Sequence, residues 1–190
     1  MKKVFALYGF SSAKQLAFTA VFAALCCIST ILITIPLPAS GYFNTGDVFV
    51  LLSGWCLGPL YGSVAAAFGS ALADIIVGAS VYAPATFLIK GGNAFIAYLV
   101  WAFFKKCIKG KRTDPLCRIL ASTVGEAFMT LGYFLYEGLF LTTFIAAAPN
   151  ILGNALQGIC CLTCATLIVA IFSQMKTVNS LFPHLLSHHK

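Results

Sequence analysis

The stretch VFVLLSGWCL, residues 48–57, decides how often this chain crosses a membrane. It is apolar but short, and a helix needs about 20 residues to span roughly 30 Å of hydrocarbon. Five other segments read readily as spans: residues 16–35, 60–79, 84–104, 116–139 and 149–172. The basic residues then supply a parity argument. Lys2, Lys3 and Lys14 precede the first span, while Lys105, Lys106, Lys109, Lys111, Arg112 and Arg118 crowd the loop after residue 104. The positive-inside rule puts both clusters on the cytoplasmic side. An odd number of clear spans lies between them, so 48–57 must cross as well, starting near Phe43. The expected fold is all-α: a single membrane domain over 1–190 with six transmembrane helices (16–35, 43–57, 60–79, 84–104, 116–139 and 149–172) and both termini cytoplasmic.

Composition supports this class. The 190 residues are 60% hydrophobic and 9% charged, whereas soluble domains carry about 25% charged residues. The basic residues behind a net charge of +7 flank apolar segments, Lys90 alone excepted, and form no aromatic-basic stripe, so lipid rather than nucleic acid is the expected surroundings. The eight cysteines lie in apolar segments or beside the basic loop, where disulfides are not expected. Cys161 and Cys164 form a CxxC inside an apolar helix and read as small packing residues. The start, MKKVFALYGF, is similar to a signal peptide, but Lys14 interrupts the apolar run. Leu25 also precedes Cys26, where a lipoprotein signal needs a small residue. An uncleaved N-terminal segment is expected. Nothing calls for a metal or an organic cofactor.

The stretch GEAFMTLGYFLYEG, residues 125–138, carries two of the five acidic residues of the chain. A carboxylate at bilayer depth costs roughly 2.5–3.5 kcal/mol on insertion scales, so its default reading is functional. Glu126, Thr130, Tyr133 and Glu137 share one helical face. Asn150, Asn154 and Gln157 form a second stripe; Thr86, Lys90 and Asn93 a third; Ser70 and Asp74 a fourth. Placed by depth, these stripes meet in the outer half of the bundle, and polar groups there must face protein or water. One outward-opening pocket is expected, edged by Tyr42, Phe43, Tyr82, Tyr133, Tyr136 and Phe140, on which a flat heteroaromatic would stack. Plainer roles also fit: Asp47 as a helix-start residue, Asp74 and Lys90 as a structural pair, Asn150 as a first-turn residue, and the basic loop as a solvated flank.

The first helix differs. Ala13, Ala17, Ala20 and Ala24 make a small-residue face suited to close approach by another helix.

These features together resemble the substrate-binding S component of energy-coupling factor (ECF) vitamin importers. The carriers are GYFNTGDVFVLLSGWCLGPLYG, GSALADIIVGASVYAPATFLIKG, GEAFMTLGYFLYE, APNILGNALQG and the alanine face. The branch is similar to that of hydroxymethylpyrimidine, pyridoxine and riboflavin-type substrates. The resemblance implies a vitamin held near the outer face under the loop at 36–44. It implies Asn44, Asp74, Lys90, Asn93, Glu126, Tyr133, Glu137, Asn150, Asn154 and Gln157 as candidate substrate-binding residues. It also implies docking of Ala13, Ala17, Ala20 and Ala24 on a transmembrane coupling subunit that carries two ABC ATPases. The chain has no GxxxxGK[ST] loop of its own, so those ATPases are separate proteins.

Two other classes compete. An intramembrane enzyme would want a base: His184, His188 and His189 all sit in the tail, and no HExxH occurs. A stand-alone proton- or sodium-coupled carrier would use intramembrane carboxylates, but such carriers show two related halves and this chain does not.

Overall fold

The computed structural model describes residues 12–37, 41–108, 113–182 and 185. The segment before Ser12, the middle of the 36–44 loop, the centre of the basic loop and the tail histidines lie outside the described residues.

Five helices are long and apolar enough to cross a membrane: α1 (Ser12–Leu32), α2 (Asp47–Ile76), α3 (Ala83–Cys107), α4 (Asp114–Tyr136) and α5 (Phe144–Phe172). A short α6 (Lys176–Leu181) follows. Between α1 and α2 lies an antiparallel ribbon of two strands, β1 (Thr34–Pro36) and β2 (Tyr42–Asn44).

The long helix α2 is not straight. Gly58 has φ 82° and ψ 178°, and Pro59 follows it. That backbone region is open essentially to glycine alone, and proline cannot continue the hydrogen-bond ladder. The chain reverses there. A Cβ built on Gly62 would lie 2.5 Å from the Ser53 carbonyl oxygen, and the Ser53 hydroxyl donates to the Gly62 carbonyl at 3.0 Å. Residues 48–57 and 60–76 are therefore two arms of a helical hairpin, and Asp47 and Asp74 return to the same end of the bundle.

Several expected boundaries are corrected. The first helix stops at Leu32 rather than Ile35, because Pro36 disfavours helical geometry at the residue before it and the chain enters β1 instead. Phe43 does not begin a helix; it pairs with Ile35 in the ribbon. Helix α5 begins at Phe144, not Pro149, with the Thr143 hydroxyl accepting from the Ala146 N–H at 3.3 Å. Pro149 is tolerated there because the bond it forfeits is to Ile145, an exposed first-turn residue. Helix α4 ends at Tyr136 and continues as one widened turn, the π-segment Glu137–Leu141.

Helices touch through glycine and alanine, as expected where lipid gives no hydrophobic drive between helices. A Cβ on Gly54 would meet the Ala94 carbonyl at 2.6 Å, and one on Gly69 would collide with the Ala23 carbonyl and the Cys26 side chain. Helix α2 is accordingly the most buried of the five.

The end of the bundle that carries the basic loop is tied by Arg118, which is buried. Its guanidinium stacks 5.0 Å from the Trp55 ring and 4.5 Å from Trp101. It donates to Asp114 at 2.7 Å and to the Leu185 carbonyl at 2.7 Å. Asp114 also takes the Trp101 indole N–H at 3.1 Å and pairs with Lys105 at 3.3 Å. The expectation of a solvated flank is corrected at these three residues: Lys105, Asp114 and Arg118 close the base of the bundle.

Gly58→Ala forces a side chain into a backbone region that costs about 1–3 kcal/mol. The variant is expected to unfold at lower temperature in detergent by a margin of that size. Unchanged thermal unfolding would show that the hairpin does not depend on this residue.

Candidate functional site

The ribbon, the last turns of α1 and the ends of α2, α3, α4 and α5 line a narrow cavity at the end opposite Arg118. Its floor is an ion pair. Lys90 Nζ donates to both Asp47 oxygens, at 2.6 and 2.8 Å, and side-chain exposure is 4% and 0% for the two partners. The Gln157 amide donates to Asp47 as well, while its carbonyl accepts the Asn44 backbone N–H at 2.7 Å. The Asn44 side chain accepts the Gly46 N–H at 2.9 Å. One network thus joins α2, α3, α5 and the ribbon. Asp47 is the first residue of α2, as a helix-start role requires, but its main partner is Lys90. The expected Asp74–Lys90 pair is not formed.

The wall nearest the ribbon is built by Tyr42, whose hydroxyl donates to Asp74. Burial and this carboxylate push the Tyr42 phenol well above its ordinary range. Glu137 sits in the π-segment and accepts from Tyr82 at 3.2 Å and Asn150 at 2.9 Å. Such widened turns are frequent at functional sites. Gly41 lies over this pair: a Cβ there would be 3.4 Å from the Tyr82 hydroxyl oxygen and 3.5 Å from Glu137 Oε1, and its φ of 72° favours glycine. Tyr133 meets the Thr86 hydroxyl at 3.0 Å, and its ring lies 5.3 Å from the Lys90 ammonium.

Seven expected site residues line this cavity: Asn44, Asp74, Lys90, Tyr133, Glu137, Asn154 and Gln157. Asn150 stands behind it and orients Glu137; it is well inside α5, so the first-turn role is corrected. Asn93 and Glu126 lie elsewhere. The Asn93 amide donates to Glu126 Oε1 at 3.3 Å, and Glu126 faces a separate, lipid-side groove between α4 and α5 with Thr130 and Phe134. The glutamate stripe therefore divides between two places. Of the aromatic edge, Tyr42, Tyr82 and Tyr133 line the cavity, whereas Phe140 is exposed. Thr30, Leu37 and Gly41 line it too and were not among the candidates; Thr30 ends a helix whose other residues read as packing, and the other two carry no polar side chain.

A family model described as the ECF-type riboflavin transporter S component matches residues 10–174. The chain belongs to this family. S components are transporter subunits and not enzymes, and this one is a multi-pass membrane protein. An uncharacterized protein from Pyrococcus woesei is 42% identical over 108 residues, a stretch covering 56% of this S component and 66% of that protein. A solved structure described as the S component of a bacterial ECF transporter superposes with a TM-score of 0.65 at 21% identity, covering 86% of this chain and 98% of the other. That likeness concerns the fold.

Lys90→Met strands Asp47 as an unpaired buried charge, a change that costs about 3–5 kcal/mol. Thermal unfolding should drop sharply, and Asp47→Asn in the same chain should recover most of the loss. A Lys90→Met protein as stable as the parent would remove the ion pair from its structural role.

Proposed function

We propose that this S component is the high-affinity substrate-binding subunit of an ATP-driven vitamin importer in the bacterial cell membrane. Its ligand is a small heteroaromatic vitamin or precursor of the hydroxymethylpyrimidine, pyridoxine or riboflavin kind; riboflavin is the one named in the family's description. The observation that carries this reading is the cavity itself, in which polar side chains from five helices converge between tyrosine rings beneath the ribbon. In this reading the two arms of α2 cross separately, giving six crossings with both termini cytoplasmic, and the cavity opens outward. The partner is a transmembrane coupling subunit with two ABC ATPases. It docks on Ala13, Ala17, Ala20 and Ala24, which form an exposed row along α1 of the kind that permits close helix approach.

Binding by the purified chain is the first test. Titrating intrinsic fluorescence with riboflavin, pyridoxine, hydroxymethylpyrimidine and pantothenate should find one ligand at nanomolar affinity, about −12 kcal/mol. Failure of every one would reject a vitamin-binding role.

Binding and transport should also separate. Ala20→Trp or Ala24→Trp places bulk in the centre of the α1 row and is expected to abolish ATP-driven uptake with ligand affinity nearly intact. Normal uptake by both variants would exclude this face as the interface. Uptake by the chain expressed without ATPases would favour the stand-alone carrier, whose support in the structure is the buried Glu126.

A further inference from the structure

Two carboxyl groups of the cavity have no ion-pair partner among the described residues. Lys90 is the cation in its wall, and both Asp47 oxygens already hold it. Asp74 and Glu137 line the same cavity, and among the described residues neither is in an ion pair. Glu137 has neutral donors on both oxygens, from Tyr82 and Asn150. Asp74 is less well served. Its Oδ1 takes the Tyr42 hydroxyl, but Oδ2 makes no hydrogen bond, and neither does the hydroxyl of Ser70 one turn earlier on the same face. Both residues are enclosed, at 4% and 2% exposure. The Thr86 hydroxyl lies beside Asp74 and meets the Tyr133 hydroxyl at 3.0 Å, so it is shared between the two and does not fill the Oδ2 position alone. Native proteins leave few buried polar atoms unsatisfied, and each such atom calls for a reason. Here two of them, on adjacent turns, border one cavity. A carboxylate acceptor beside a hydroxyl suits a ligand donor, and a cationic donor best of all, because charge-assisted bonds are about twice as strong as neutral ones. The Tyr82 and Tyr133 rings, with centroids 6.3 Å apart, add faces that favour a cation.

We propose that Asp74 and Ser70 form the subsite for an amino or amidine-type group of the ligand. The substrate is then an amine-bearing heteroaromatic rather than a carboxylate or a flavin. This rests on the vitamin-binding reading above and narrows its substrate class.

The test is a binding panel on the purified full chain. Pyridoxamine, pyridoxine and pyridoxic acid share a ring and differ in an amine, a hydroxyl and a carboxylate. Hydroxymethylpyrimidine adds an exocyclic amine, and riboflavin and pantothenate carry none. The tightest ligand should be pyridoxamine or hydroxymethylpyrimidine, with pyridoxic acid weaker than pyridoxamine by tenfold or more. Asp74→Asn should weaken the amine ligand by about tenfold or more, and Ser70→Ala by several-fold, each variant being checked for folding by thermal unfolding. Should Asp74→Asn fail to fold, Ser70→Ala decides alone. Tighter binding of any amine-free member, or an amine affinity that the folded variants leave unchanged, would overturn the subsite. Riboflavin binding best would overturn it while leaving the vitamin-binding role intact; no binding by any member would reject both.

Discussion

The arrangement of the cavity depends on one buried ion pair, Lys90 with Asp47. Neither charge survives alone in a medium of low dielectric, so the start of α2 and the first turns of α3 are held at one distance. Gln157 extends the constraint to α5, and its carbonyl captures the Asn44 N–H. The ribbon is thus placed over the cavity by the group that neutralises its floor. The pair also occupies the Lys90 ammonium, so the other two carboxyl groups of the cavity, Asp74 and Glu137, are hydrogen-bonded to neutral donors instead.

The opposite end is built from different materials. Arg118 lies between two tryptophan rings and is fixed by Asp114 and the Leu185 carbonyl. Between the two ends the helices meet through glycine, with Gly54 on Ala94 and Gly69 on Ala23. Such contacts bring backbones together and leave little side-chain freedom to adjust. The polar groups that can respond to a ligand are therefore gathered at the cavity end, on the ribbon, on the π-segment and on the last turns of α2.

Much of this was legible in the sequence. The polar stripes on α2, α3, α4 and α5 pointed to a common pocket, and seven of the expected residues line it. Stripe logic fixes only which face of its own helix a residue occupies. It could not tell that Glu126 would turn to Asn93 and the lipid-side groove while Glu137 entered the cavity. Their partners on neighbouring helices, Asn93 for Glu126 and Asn150 for Glu137, decide that, and these contacts have no local signature in the residues between them. The ribbon was missed because Tyr42–Asn44 continues smoothly into an apolar run, and its pairing with residues 34–36 is a non-local contact.

By itself the sequence determined the membrane class, the apolar segments, the Gly58–Pro59 break and the family. These follow from composition, segment length and the backbone limits of two residue types. Only the tertiary structure decided that Lys90 pairs with Asp47 and leaves Asp74 to Tyr42. Both carboxylates return to the same end of the bundle because α2 folds back on itself. Which of them the ammonium reaches depends on how α3 packs against the two arms, and charge alone treats the two as equal.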